Sequence, residues 1–392
     1  MSLNLTFPSA RPFDPAVLAQ SDRTLEEGAR PLPAQAYVSQ DWFDAERALL
    51  WSRSWVCLTA GSYVPNKGDV IPLDLAGVPL FAMRGRDGAV RVFHNACPHR
   101  GMKLVSEKGN AGALLTCPYH NWAFGLSGEL RQTPHIAGTG KHDCPGFDKT
   151  QFRVKEVASA VWFDQVFVNL SGDAEPFEDF IAPVAARWSA FDQGSLRHGG
   201  ADSVLTFDLN CNWKLAVENF CEAYHLPMVH PGLNSYSRLE DHYSIEEDGR
   251  FSGQGSLVYQ PAREAGASAL PKFPDLPEHW STRAEYLALY PNVLLGIHAD
   301  HFYAVRVYPD GPDRAREVFD IYYAGDEPTG PGYANVRANV RETWREVFLE
   351  DVGVVEGMQD GRASPGFDGG VFTPVLEGPS HCFHRWSARA MM

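Results

Sequence analysis

Short runs of β-branched and aromatic residues, separated by glycine-containing turns, dominate the chain between residues 55 and 170. The runs cover residues 55–58, 69–73, 79–84, 90–94, 160–163 and 166–170. Turn sequences such as the one at residues 86–88 connect them in the way that hairpins require. The pattern predicts a small antiparallel β domain.

Outside that region, some segments have a hydrophobic pattern with a helical period and others have β-type runs. These patterns predict short helices over residues 42–51 and 178–191, a long helix over 336–358, and a β meander from the runs at 292–295, 302–308 and 317–323. Residues 1–40 are rich in proline and predict an arm that lies over other structure. We therefore expect an α+β protein. Its parts are an N-terminal arm over 1–40, a small antiparallel β domain over 41–170, and a larger domain with an antiparallel sheet and helices over 171–392.

Composition supports this organisation and limits the choice of partner. The chain has 392 residues, of which 44% are hydrophobic and 21% charged, as in a globular protein of about two domains. Its net charge of −15 disfavours nucleic acid and anionic membranes as partners, because phosphate binding needs a basic surface. We find no long apolar run and no signal-peptide pattern, and we expect a cytoplasmic protein.

Two mixed Cys and His pairs provide the first candidate site. They are Cys97-Pro-His99 and Cys117-Pro-Tyr-His120, and the seven cysteines of the chain are too dispersed for a disulfide framework. Structural zinc sites usually pair Cys with Cys and His with His. Mixed pairs suit an asymmetric two-iron cluster, with both Cys on one iron and both His on the other. Zinc is the alternative.

The segment 212–225 provides a second candidate site. Apolar residues recur at helical spacing and predict a core-facing helix stripe, which comprises Trp213, Val217, Phe220, Cys221 and Tyr224. Glu218, Glu222 and His225 form a second stripe beside the first. A solvated helix edge would explain the carboxylates equally well.

Two histidines and one distant aspartate could form a metal site. His225 and His230 would point about 140° apart on an unbroken helix, but a break near Pro227 would let them converge. Asp351 lies on the apolar face of the predicted helix over 336–358, where an ionised carboxylate is costly unless it is paired or bound to metal. A paired structural Asp is the alternative. Two His and one carboxylate are the ligands of mononuclear Fe²⁺ oxygenases.

These motifs resemble those of a known family along nearly the whole chain. The Cys/His pairs resemble the Rieske [2Fe–2S] motif. The later motifs Asn-Trp-Lys, Glu-Asn-x3-Ala-Tyr-His-x4-His and Glu-Asp-x3-Val-Glu resemble the α subunit of Rieske non-haem iron oxygenases. The resemblance implies a catalytic domain of the helix-grip type. It implies that Cys97 and Cys117 bind one iron of the cluster and that His99 and His120 bind the other. It further implies that His225, His230 and Asp351 bind Fe²⁺, that Asn219 lies close to this iron, and that Glu222 links His225 to His120 of a neighbouring subunit.

The function that the resemblance implies is that of a terminal oxygenase, with O2 as co-substrate. Electrons would come from a separate reductase of the flavin or ferredoxin type. NAD(P)H and flavin are expected only on that partner, because the chain has neither a Gly-x-Gly-x-x-Gly motif nor plant-ferredoxin cysteine spacing. The cross-subunit path implies a homotrimer. Most of the family has Asp at position 222. The Glu found here makes the motif resemble that of the branch that oxidises betaines, choline and carnitine. This resemblance implies a monooxygenase that hydroxylates or N-demethylates a small quaternary ammonium substrate.

Two other functions remain open at this stage. One is an aromatic ring hydroxylase, either monooxygenating or cis-dihydroxylating, and the other is an electron-transfer Rieske protein without oxygenase chemistry. Several aromatic side chains could form a cage for a quaternary ammonium group or could belong to the core, namely Trp280, Tyr286, Tyr290, Phe302, Tyr303, Tyr322 and Tyr323. Arg306 could bind a substrate carboxylate or form a structural ion pair.

Overall fold

The computed structural model describes residues 13–261 and 269–392 and divides the chain into two compact units. The first unit covers residues 51–174, and the second combines residues 13–50 with residues 175–392. The predicted arm therefore belongs to the second unit in its described part, and residues 1–12 of that prediction lie outside the described residues.

The border of the first unit differs from the predicted border at residue 41. Residues 41–50 belong to the second unit because Glu46 forms an ion pair with Lys214 in which both side chains are completely buried. Tyr37 of the arm is also fully buried and donates a hydrogen bond to Glu218. These buried polar contacts place the segment in the second unit, although it precedes the first unit in the sequence.

The first unit is built from antiparallel strands, as the hydrophobic pattern predicts. The strands are β1 (Val56–Ala60), β2 (Asp69–Leu75), β3 (Val78–Arg84), β4 (Val90–His94), β5 (Gly109–Asn110), β6 (Leu115–Thr116), β7 (Ala123–Phe124), β8 (Leu130–Gln132), β9 (Glu156–Trp162) and β10 (Gln165–Asn169). Seven of them form a sheet in the order β1-β10-β9-β4-β3-β2-β5, and β6-β7-β8 form a second, small sheet.

The second unit combines an antiparallel sheet with helices, which confirms the predicted α+β class. Its strands are β11 (Leu196–His198), β12 (Val204–Leu209), β13 (His242–Glu247), β14 (Phe251–Ser256), β15 (Ala284–Leu289), β16 (Val293–Ile297), β17 (His301–Pro309) and β18 (Ala315–Ala324). The sheet follows the order β11-β18-β17-β16-β15-β14-β13, and β12 also pairs with β18.

Helices lie before the sheet in sequence, between β12 and β13, and after β18. They are α1 (Pro15–Ser21), α2 (Gln35–Val38), α3 (Gln40–Glu46), α4 (Phe177–Arg187), α5 (Trp213–Cys221), α6 (Leu226–Val229), α7 (Pro231–Asn234), α8 (Ala334–Arg362) and α9 (Gly378–Met391). A π-helical segment, Arg47–Trp51, follows α3. Helix α5 packs against β14, β15 and β17 of the sheet and against α8. This packing brings the two segments that carry the candidate ligands together.

The prediction of one helix through residue 225 is wrong. Helix α5 ends at Cys221, and Glu222 has an extended backbone with φ −123° and ψ 160°. The Glu222 carboxylate accepts hydrogen bonds from the backbone N–H groups of Tyr224 and His225, which stabilises the break. Glu218 and Glu222 therefore do not share a stripe, and Tyr224 is 52% exposed rather than part of the core. Pro227 lies in the first turn of α6, so it begins a helix where we predicted that it would break one.

Within the two described ranges, every helix is too short or too polar to cross a membrane.

Candidate metal centres

The two Cys/His pairs of the first unit lie on two loops with the same backbone design. The amide of Cys97 donates to the carbonyl of Met102 at 2.8 Å, and that of Cys117 donates to the carbonyl of Trp122, also at 2.8 Å. The fourth residue after each Cys has a left-handed backbone, with φ 74° at Gly101 and 55° at Asn121. Glycine and asparagine adopt this conformation at the lowest cost. Each loop thereby turns its cysteine inward.

The cysteines are inside and the histidines are nearer the surface. Cys97 and Cys117 belong to the hydrophobic core of the unit, whereas His120 is half-buried and His99 is exposed. The two imidazole rings lie 4.7 Å apart between centroids, and His99 stacks on Trp122. One side of the site therefore offers two thiols and the other offers two imidazoles.

This arrangement fits a two-iron cluster better than a single zinc ion. In the described part of the chain, one group brings three Cys, His or carboxylate ligand atoms within 4.8 Å of one another, and it does not include these four residues. A tetrahedral zinc ion would need such convergence. The Nδ1 atom of His120 is buried and has no hydrogen-bond partner among the described residues. Burial raises the pKa of the Cys97 thiol to about 11, so metal binding must displace its proton.

In the second unit, His225, His230 and Asp351 converge. Their ligand atoms all lie within 4.8 Å of one another. The Oδ1 atom of Asp351 is 3.0 Å from Nε2 of His230 and 3.7 Å from Nε2 of His225. His225 directly precedes α6, His230 lies between α6 and α7, and Asp351 comes from α8. The break at Glu222 and the short helices after it make this convergence possible.

A carboxylate orients each of these histidines. Glu222 Oε1 is 2.6 Å from Nδ1 of His225, and Glu350 Oε2 is 2.7 Å from Nδ1 of His230. Both Nε2 atoms are thereby directed toward Asp351, as in carboxylate–histidine–metal arrangements. Burial lowers the pKa of His230, but its contacts with Asp351 and Glu350 outweigh burial and leave the pKa raised. Two imidazoles and one carboxylate fit a divalent iron ion. The sequence analysis did not predict the contact of Glu350 with His230. The signal that could have indicated it is the position of Glu350 next to Asp351.

A cavity with about 470 Å³ of empty space opens beside this group. His225, His230, Asp351 and Asn219 all line it. Five aromatic rings form much of the remaining wall, namely those of Phe220, Tyr286, Tyr303, Trp344 and Phe348. The cavity therefore places a metal-binding group next to a mostly aromatic wall.

Only part of that wall could be predicted from the sequence. Of the seven candidate aromatic residues, Tyr286 and Tyr303 line the cavity, and the other five are buried away from its wall. Phe220, Trp344 and Phe348 were missed, because an apolar residue on a helix stripe predicts core packing. Arg306 is completely buried and pairs with Asp320, so the structural alternative is confirmed for it.

The sheet fixes the orientation of two of these rings. Tyr303 on β17 is paired with Gly296 on β16, and its ring lies over this glycine. A Cβ added to Gly296 would come within 2.2 Å of the Tyr303 ring. The indole N–H of Trp344 donates to Nε2 of His301 at 3.0 Å, and Nδ1 of His301 is 2.8 Å from Asp300. Close packing therefore fixes the ring of Tyr303, and a hydrogen bond fixes the ring of Trp344.

A second, smaller cavity adjoins the first and contains a buried acid. It has about 290 Å³ of empty space and shares Asn219, Phe220, Phe348 and Asp351 with the first cavity. Glu317 projects from β18 into its lining. Burial, together with the charge of Asp351, raises the pKa of Glu317 to about 8, so this carboxyl group is largely protonated at neutral pH.

Comparison with known proteins identifies a family for each of the two units. Residues 54–161 match the Rieske [2Fe-2S] domain, and residues 194–392 match the ring hydroxylating alpha subunit (catalytic domain). The carnitine monooxygenase oxygenase subunit of Escherichia coli K12 is 28% identical over 345 residues, which is 86% of each chain. Choline monooxygenase, chloroplastic, of Arabidopsis thaliana is 27% identical over 95% of this chain and 84% of that protein. The quaternary ammonium Rieske monooxygenase CntA has the same fold, with a TM-score of 0.77 and 23% identity over 97% of this chain and 99% of that one.

Proposed function

We propose that this chain, which belongs to the family of ring-hydroxylating α subunits, is the terminal oxygenase of a monooxygenase that acts on a quaternary ammonium compound. The family assignment makes it an O2-dependent oxidoreductase with a Rieske cluster and a mononuclear iron, supplied with electrons by a separate reductase. The observation that carries the proposal for the substrate is the wall of five aromatic rings beside His225, His230 and Asp351. Aromatic faces bind quaternary ammonium groups through cation–π attraction.

The geometry described above supports the following ligand sets as part of the proposal. We assign Cys97, His99, Cys117 and His120 to the cluster. Three residues of the second unit, His225, His230 and Asp351, are assigned to Fe²⁺. When bound, the cluster supplies single electrons and the iron supplies the activation of dioxygen.

The residues around the iron site bind and orient the substrate. The aromatic wall would hold the ammonium group, exclude water and present a C–H bond next to the cationic nitrogen to the metal side of the cavity. Monooxygenation inserts one oxygen atom into that bond, and the other leaves as water after two electrons and two protons are taken up. If the hydroxylated carbon is an N-methyl carbon, the C–N bond then breaks to give a demethylated amine and formaldehyde.

Glu222 supports a path for electrons between subunits. Its carboxylate already contacts His225, and in a ring of copies it would also reach His120 of the next chain. Exposed apolar residues occur beside both ends of this path, with Tyr119 55%, Tyr224 52% and Met228 85% exposed. Exposed apolar side chains that cluster on a surface often mark an interaction site. We therefore propose a homotrimer in which each iron site receives electrons from a neighbouring cluster.

A substrate screen tests the proposal. The reconstituted protein and a suitable reductase would be given betaines, choline, carnitine and simple aromatic acids, and substrate-dependent NADH and O2 consumption would be measured. We expect coupled consumption with at least one quaternary ammonium compound. Coupled turnover with aromatic acids alone would instead support the ring-hydroxylase alternative.

A further inference from the structure

The cavity beside the iron site has no basic side chain on its described wall. Its described lining residues include neither Lys nor Arg. Besides the two candidate ligands, they include one histidine, His242. Burial lowers the pKa of His242, and both its ring nitrogens contact neutral groups, Gln254 Oε1 and Ser237 Oγ. The wall therefore offers no positive charge to a substrate apart from the metal.

The carboxyl groups on and beside this cavity supply no positive charge either. Asp351 lines both cavities, Glu317 lines the adjoining one, and Glu350 contacts His230. A substrate carboxylate placed here would be removed from water without a counter-charge from the protein. Burying such a group is strongly unfavourable unless it is paired and hydrogen-bonded.

The wall does offer a neutral group that lacks a partner. The hydroxyl of Tyr286 is buried and makes no hydrogen bond to any described residue. Behind it lies His298, whose ring centroid is 5.5 Å from that of Tyr286 and whose two nitrogens are also buried without partners. Unpaired buried polar groups are rare in folded proteins and often mark a place where a ligand or water binds. A phenol hydroxyl suits an alcohol or another uncharged polar group.

We propose that the substrate is an alkylammonium ion whose second polar group is uncharged, as in choline and related amino alcohols, and that Tyr286 Oη binds this group. Carboxylated betaines would be disfavoured. The inference rests on the proposed function, since it takes the aromatic wall as the ammonium site, and it adds a choice among quaternary ammonium compounds that the wall alone does not make.

Calorimetric titration of the iron-loaded protein tests this choice without turnover. The ligands are choline, its uncharged isostere 3,3-dimethyl-1-butanol, tetramethylammonium, glycine betaine, carnitine and benzoate. We expect choline to bind about 30-fold more tightly than the uncharged isostere, because the isostere lacks the cation–π attraction. Glycine betaine and carnitine should bind at least about 30-fold more weakly than choline, because their carboxylate finds no counter-charge.

The Tyr286→Phe variant tests the hydroxyl by itself. It should bind choline about 5- to 10-fold more weakly and leave tetramethylammonium binding unchanged, since tetramethylammonium has no group for the hydroxyl. Tyr322→Phe is the matched control, because Tyr322 is a buried tyrosine of the same sheet that does not line the cavity. It should leave the affinities of both ligands unchanged.

The outcomes separate the inference from the proposed function. Carnitine or glycine betaine binding as tightly as choline would overturn the inference and leave the proposed function intact. Binding of benzoate, with no ammonium compound bound, would overturn the proposed function itself. Equal loss of choline and tetramethylammonium binding in Tyr286→Phe would show that the hydroxyl does not recognise the uncharged group.

Discussion

The carboxylate of Glu222 lies 2.6 Å from Nδ1 of His225. It does so because α5 ends one residue earlier and leaves Glu222 in an extended conformation. The same carboxylate that ends the helix therefore orients a candidate iron ligand.

Replacing Glu222 with Gln should suppress electron transfer while both metal sites stay filled. The amide keeps the size of the side chain but loses the charge, and losing such a partner of a metal ligand typically costs 10- to 100-fold in activity or metal affinity. With Fe²⁺ supplied at saturating concentration, iron content and the cluster spectrum should match wild type, and coupled turnover should still fall by roughly this factor. Coupled activity at the wild-type level would remove Glu222 from the electron path.

Replacing Asp351 with Ala should empty the mononuclear site selectively. Total iron should fall from about three to about two per chain, and the visible spectrum of the cluster should not change, because the cluster ligands are on the other unit. Asp360→Ala on the exposed side of the same helix is the matched control and should retain all the iron. Loss of the cluster spectrum in Asp351→Ala would contradict the assignment.

Glu350 should act through the orientation of His230. Because Glu350 Oε2 contacts Nδ1 of His230 at 2.7 Å, Glu350→Gln should weaken Fe²⁺ binding by roughly 10- to 100-fold. Equilibrium titration with Fe²⁺ measures this directly. Glu346→Gln, an exposed change one turn earlier on α8, should have no effect. Equal Fe²⁺ affinity in the two variants would show that Glu350 does not position the ligand.

Glu317 should make stability depend on pH. Burial raises its pKa from 4.5 to about 8, so unfolding releases a proton between these values and the folded state loses relative stability as pH rises from about 5 to 8. Glu317→Gln removes this loss, and its free energy of unfolding relative to wild type should rise by on the order of 4 kcal/mol across that range.

Urea unfolding of the iron-free protein at several pH values measures the effect, because the charge of Asp351 is then not compensated by metal. Parallel pH profiles for wild type and variant would show that Glu317 does not titrate in this range.

The sequence predicted the two groups of candidate ligands better than it predicted the wall of the cavity. Cys97, His99, Cys117 and His120 have a spacing that few other structures require, and the longer strands of the same unit coincide with the predicted apolar runs. His225, His230 and Asp351 were found from residue type together with the resemblance, although the backbone that brings the two histidines together was predicted incorrectly.

The end of α5 at Cys221 could not be predicted, because the hydrophobic pattern continues through it and neither Gly nor Pro marks the break. The side chain of Glu222 ends the helix instead, through hydrogen bonds to the next backbone amides. Trp344 and Phe348 were missed for a related reason. A helix stripe that faces a cavity has the same sequence pattern as one that faces a core, so only the fold distinguishes them.

The most direct test of the account is a single turnover with isotopically labelled oxygen. The fully reduced, iron-loaded protein, mixed with choline and ¹⁸O2 and no reductase, should give an oxygenated product that carries one ¹⁸O atom from each O2, with the second atom in water. Mass spectrometry of the rapidly trapped product measures this. Two ¹⁸O atoms from one O2 in the product, or re-oxidation of the cluster without any product from choline or another quaternary ammonium compound, would contradict it.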